Sequence, residues 1–121
     1  MAKAQKRKTN SKAVTSISRA AEARLDELIE EATVDCYNES EQISGFFTML
    51  EDHLDVPFTT TLLGVEVVVK KIDLTEDEEI MAVCACGGQH QRIPILELPL
   101  PRPAPAGSEW IDAYRRWARW K

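Results

Sequence analysis

The chain has 121 residues, a net charge of −5 and an apolar fraction of 44%, enough for one domain with a modest core. Three cysteines exclude a secreted disulfide framework. The charged start lacks the apolar segment of a signal peptide, and no apolar run approaches the ~20 residues that a membrane span needs. The expected setting is therefore the reducing cytoplasm, with no membrane partner.

Charge is segregated along the chain. Residues 1–20 carry +6 and no acid, residues 21–80 carry −14, and residues 81–121 carry +3. Residues 1–15 are polar, basic and without periodicity, and are predicted to be a disordered tail. Residues 16–121 are predicted to form one domain. The acidic body should draw cations or a basic protein partner and repel nucleic acid; the alternative to disorder for the basic tail is an electrostatic arm for nucleic acid or anionic lipid.

The first predicted helix runs from Ser16 to Tyr37, with Ala21, Leu25, Leu28, Ile29, Ala32 and Cys36 repeating at three and four. Asn38, with Glu41 three residues on, has capping-box spacing and opens a second helix to about Leu54. Its apolar face is Ile43, Phe46, Phe47, Leu50 and Leu54. Gly45 interrupts it and leaves room for close approach of the first helix. Pro57 ends the segment.

Beyond Phe58 the period changes to two. Thr59 to Leu63 is a β-branched run, and Val65, Val67 and Val69 alternate with Glu66, Val68 and Lys70 as in a half-buried strand. Asp73 to Glu79 reads as an acidic loop. Ile80–Cys86 and Gln91–Leu98 form a hairpin about Gly87 and Gly88. Residues 99–107, rich in proline, are predicted to be a stiff connector. Ser108 caps a final helix with an aromatic stripe of Trp110, Tyr114 and Trp117 that docks on the core. The fold class is α+β: two N-terminal helices, a small antiparallel sheet of about four strands with an SH3-like outline, and a C-terminal aromatic helix.

The chemistry concentrates between residues 34 and 58. Helix C-termini prefer cations, yet Glu51, Asp52 and Asp55 are predicted in the last turn of the second helix, and Asp35 in the last turn of the first. Hard divalent cations take carboxylate and carbonyl oxygens, and helix C-termini supply unpaired carbonyls. Two such ends brought together would make a Ca²⁺ cage. It is not an EF-hand: counting from Asp35, the sixth position is Ser40 rather than Gly and the twelfth is Phe46 rather than Glu. Asp73, Glu76, Asp77, Glu78 and Glu79 are a candidate second, weak, exposed site. A soft-metal reading of Cys84, Cys86 and His90 lacks the usual C-x₂-C spacing, so the cysteines read as small core residues. No nucleophile elbow, zinc-protease motif or phosphate loop appears, so catalysis is not expected.

The stretch Asp35, Tyr37, Glu39, Glu41, Gly45-Phe46-Phe47, Leu50-Glu51-Asp52, Leu54 and Pro57-Phe58 resembles the CcbP-like calcium-binding family of cyanobacteria and other bacteria. That family is small, acidic and unrelated to EF-hands. Val65 to Val67, the acids from Asp73 to Glu79, Arg92 to Leu98, and Trp117 and Trp120 extend the resemblance over about residues 25–120. The sequence departs from the pattern at Cys36, Phe46, Phe47 and Met49, none of them a carboxylate. The resemblance implies a cytoplasmic, non-catalytic Ca²⁺ buffer or sensor in calcium signalling, with Asp35, Glu39, Glu41, Glu51 and Asp52 as metal ligands. The alternative is an acidic adaptor that engages a basic partner without a metal.

Overall fold

The computed structural model describes residues 19–120; the predicted disordered segment 1–15 lies outside the described residues. Among them, α1 covers residues 19–32, α2 Glu39–His53 and α3 Glu109–Trp120. Between α2 and α3 runs a four-stranded antiparallel meander: β1 (Phe58–Leu62), β2 (Val65–Leu74), β3 (Ile80–Cys86) and β4 (Gln89–Pro94), in that order across the sheet. The fold is α+β, as the change of period predicts.

Helical spacing decides the core. Ile43, Phe46 and Leu50 are the buried face of α2, and Leu28 and Ala32 are the buried residues of α1. Phe46 lies 5.3 Å, centroid to centroid, from both Tyr114 and Trp117, so the aromatic stripe of α3 docks on the core. Gly45 is why α1 and α2 approach so closely. A β-carbon at that position would stand 2.1 Å from the carbonyl oxygen of Ala32.

Three boundaries differ from expectation. The first helix ends at residue 32 rather than 37, because the chain reverses through a turn over 33–35 in which Asp35 adopts a left-handed conformation, φ 60°. The strand from β2 runs on through Asp73 and Leu74. It does so because a bulge at Lys70 resets its alternation: Val69 faces Cys84, but Lys71 faces Val83. The burial pattern therefore goes from Val69 to Ile72, leaving both lysines exposed. The last strand stops at Pro94 rather than Leu98, since Glu97 N–H closes a turn onto the Pro94 carbonyl.

The turn after β4 is held by α3. Arg115 donates to the carbonyls of Ile95 (2.9 Å) and Leu98 (2.5 Å), which lets both side chains plug the core. Thr60, a buried polar residue on β1, donates to the Pro99 carbonyl at 2.7 Å and ties the proline-rich connector to the sheet edge. An ammonium cannot reproduce the planar guanidinium fork. Arg115→Lys is expected to cost about 2 kcal/mol, measured as a lower urea midpoint with unchanged slope.

Candidate metal centre

The predicted ligands fall at the two ends of α2. Asp35 lies in the link between α1 and α2, and Glu39 and Glu41 lie in the first turn of α2. Glu51 and Asp52 lie in its last turn, about 18 Å away by a helical rise of ~1.5 Å per residue. One ion cannot bridge that span. Asp55 falls outside the helix, which ends at the cap Leu54, and His53 supplies a basic group to the last turn. The expected meeting of two acidic C-terminal ends is therefore not what the fold builds. Asp35 has left the helix, and the far end of α2 packs instead against the connector. Asp55 N–H donates to the Ala106 carbonyl at 2.9 Å, and the His53 ring stacks on Trp110 at 5.3 Å.

What the fold does bring together are the start of α2 and the β2–β3 turn, separate sites in the sequence reading. Asn38 caps α2 by accepting from Glu41 N–H at 2.8 Å. The Glu41 carboxylate reaches back to Tyr37 N–H at 3.1 Å, so the predicted capping box forms, displaced by one residue. Thr75 pins the turn: its N–H donates to the Glu79 carbonyl, its carbonyl accepts from Glu78 N–H, and its hydroxyl accepts from Glu79 N–H. Glu78 adopts a left-handed conformation there, φ 64°, and its carboxylate accepts from the Ser40 hydroxyl at 2.5 Å. Asp35 and Glu78 are thus two acids in a backbone region that side chains other than Asn, Asp and Gly occupy at a cost.

Tyr114 is buried on α3 against Phe46 and Trp117. Burial pushes its phenol above the ordinary range, and the charges of Glu79 and Glu39 push it further. Both acids therefore act on one buried group. Asp73, by contrast, belongs to β2 and is ion-paired with Arg92 at 2.8 Å, which withdraws it from the predicted second site. Glu76 and Asp77 are exposed on the turn.

Carboxylate and hydroxyl oxygens fit a hard cation such as Ca²⁺ in chemistry. In arrangement they are splayed: among the described residues no three His, Cys, Asp or Glu side chains converge as a metal cage. Glu41 and Glu78 are engaged by Tyr37 N–H and Ser40. The soft-metal alternative has less support. Strand pairing sets Cys84 and Cys86 opposite Gln91 and Gln89, and His90 opposite Ala85, so His90 lies on the other face of the sheet. Burial raises the Cys84 thiol above its ordinary range, as for a neutral core residue.

A family model described as calcium binding, CcbP, matches residues 26–118. The chain belongs to the CcbP calcium-binding family. The match spans α2, the whole sheet and nearly all of α3, so the acids at the start of α2 and those of the β2–β3 turn are both family territory. Ca²⁺ is the ion this membership assigns. Searches of curated proteins and of solved structures returned no match. The sequence reading did not connect Ser40 or Tyr114, the latter read as a core aromatic, with the site. Neither is acidic, and Ser40 meets the turn through a contact spanning 38 residues.

Proposed function

We propose that this CcbP-family protein is a cytoplasmic, non-catalytic Ca²⁺ buffer or sensor whose principal site lies where α2 begins. Asp35, Glu39 and Glu41 would supply carboxylates from the helical side, and Glu78 and Glu79 from the β2–β3 turn. Glu51 and Asp52 would form a separate, weaker cation-attracting patch at the other end. The observation that carries this reading is the Ser40–Glu78 hydrogen bond, which docks an otherwise solvated acidic turn onto a helix start already bearing two acids. Bound Ca²⁺ would neutralise repelling carboxylates and stabilise the native state by mass action.

Tyr114 supplies a test independent of heat. Its phenol is held protonated by burial and by Glu79 and Glu39. The native state therefore binds this proton to higher pH than the unfolded chain does, so its stabilisation is intact below the ordinary phenol value, ~10, and is lost as pH rises above it toward the raised native value. A cation beside Glu39 and Glu79 removes part of that shift. Spectrophotometric titration of the phenols, with a Tyr114→Phe variant to identify its transition, is expected to show the Tyr114 transition moving down in Ca²⁺. Calorimetry at physiological salt should show saturable binding. Binding heat with an unmoved Tyr114 transition would relocate the site, and no saturable heat would overturn the calcium reading in favour of an acidic adaptor for a basic partner.

A further inference from the structure

Two hairpin turns lie side by side at the end of the sheet remote from the candidate calcium site. The β1–β2 turn is Leu63-Gly64 and the β3–β4 turn is Gly87-Gly88, and the pairing of Val68 with Ala85 sets them next to each other. The β2–β3 turn, with Glu78 and Glu79, is at the other end of β2, about 30 Å away at ~3.3 Å per residue. The strands that build this tip are nearly uncharged. Residues 80–91 contain no Asp, Glu, Lys or Arg, and Glu66 is the one such residue in 56–69. Alternation along β2 puts Glu66 on the face opposite Val67.

Leu63 is out of place in such a turn. Its φ is 51° and that of Gly64 is 78°, so both residues of the two-residue loop are left-handed, where Asn-Gly is the favoured pair. A bulky side chain disfavours that conformation. Leu63 is also 97% exposed, so packing within the chain does not offset the strain. An apolar side chain held against local preference and out in water points to a contact outside the chain. Beside it opens a recess of about 190 Å³, floored by Leu62, Val67, Cys84 and Ile93 and rimmed by exposed Gln89 and Gln91. Small-molecule sites usually span ~300–1,000 Å³, whereas an apolar cavity of about 150 Å³ already holds a benzene ring. The recess is therefore sized for one apolar side chain. Projection and recess share one tip, since Leu62 lines the recess and Leu63 follows it. A two-fold contact between identical chains requires that arrangement, each copy filling the other. The low charge suits it as well. Two copies of a chain of net charge −5 repel, but the acidic β2–β3 turn is more than three Debye lengths from the tip at physiological salt, ~8 Å each.

We propose that this tip is a self-association surface, in which Leu63 of each copy enters the recess of the other. The test is sedimentation equilibrium of the full chain in EDTA, so that calcium plays no part. A reversible monomer–dimer equilibrium is expected, with nothing larger. Leu63→Asn removes the projection and installs the residue favoured there. It should weaken dimerisation at least about a hundredfold, since two apolar side chains leave the contact, while the dilute protein melts no lower than the parent. Gln89→Glu, on the exposed rim, sets like charges against each other and should weaken the dimer at least about tenfold, more so at low salt. A monomer at every concentration would overturn the proposal and leave the recess to a side chain of a different protein. A dimer that survives both changes, or growth beyond a dimer, would overturn it too. So would a Leu63→Asn protein that melts lower when dilute, which would make Leu63 a residue of the fold rather than of a contact.

Discussion

Gly45→Ala is expected to destabilise the protein by about 2 kcal/mol, although alanine is the better helix former by ~1 kcal/mol. The new methyl would meet the Ala32 carbonyl oxygen at 2.1 Å and its carbon at 3.2 Å. Both are backbone atoms, so no rotamer change relieves the overlap, and α1 must move off α2. Overpacking of this kind costs about 1–3 kcal/mol, and the displacement also loosens Leu28 and Ala32 from the core. The melting temperature should fall by roughly 10 °C. Ser44→Ala, on the exposed face one residue earlier, serves as the control and should be neutral or mildly stabilising. A neutral Gly45→Ala would mean that the helices do not pack as described. Because Asp35 follows directly on α1, Gly45→Ala should also weaken Ca²⁺ binding.

The second large effect concerns the site. Glu39→Gln combined with Glu78→Gln should reduce Ca²⁺ affinity about 100-fold, equivalent to ~2.7 kcal/mol. Glutamine keeps an oxygen acceptor of the same reach but removes the charge, so the Ser40 contact can persist while the attraction for a dication is lost. Glu51→Gln combined with Asp52→Asn should leave the principal affinity within about twofold. That pair lies at the negative end of the α2 dipole, where carboxylates are unfavourable, so the metal-free protein should gain about 0.5–1 kcal/mol. Calorimetry and metal-free melting curves read the two effects separately. The reverse outcome, with affinity lost only in the Glu51 and Asp52 variant, would place the ion at the far end of α2.

Both predictions turn on features that the sequence shows only in part. The buried face of α2, the Asn38 cap with its Glu41 partner, the tight turn at Gly87 and Gly88 (φ 54° and 83°) and the docking stripe of α3 are local patterns. Each depends on residues within a few positions of one another, so periodicity and turn chemistry reveal them. Gly45 was legible as a close-approach position for the same reason. The bulge at Lys70 was not, because a shift of register depends on what the neighbouring strand presents. Nor was the end of α1, where the reversal at Asp35 competes with a helical pattern that runs on to Cys36.

By itself the sequence determined the α+β class, the apolar faces that make the core, and an inventory of carboxylates rich enough for a hard cation. Only the tertiary structure decided which of them share a location. It separated Asp35, Glu39 and Glu41 from Glu51 and Asp52 by the length of a helix, withdrew Asp73 into an ion pair with Arg92, and carried Glu78 to Ser40. The physical reason is that a cation responds to charges within a few ångströms in space. Sequence spacing reports those distances along one helix or strand, but not across the turn that folds a sheet onto a helix.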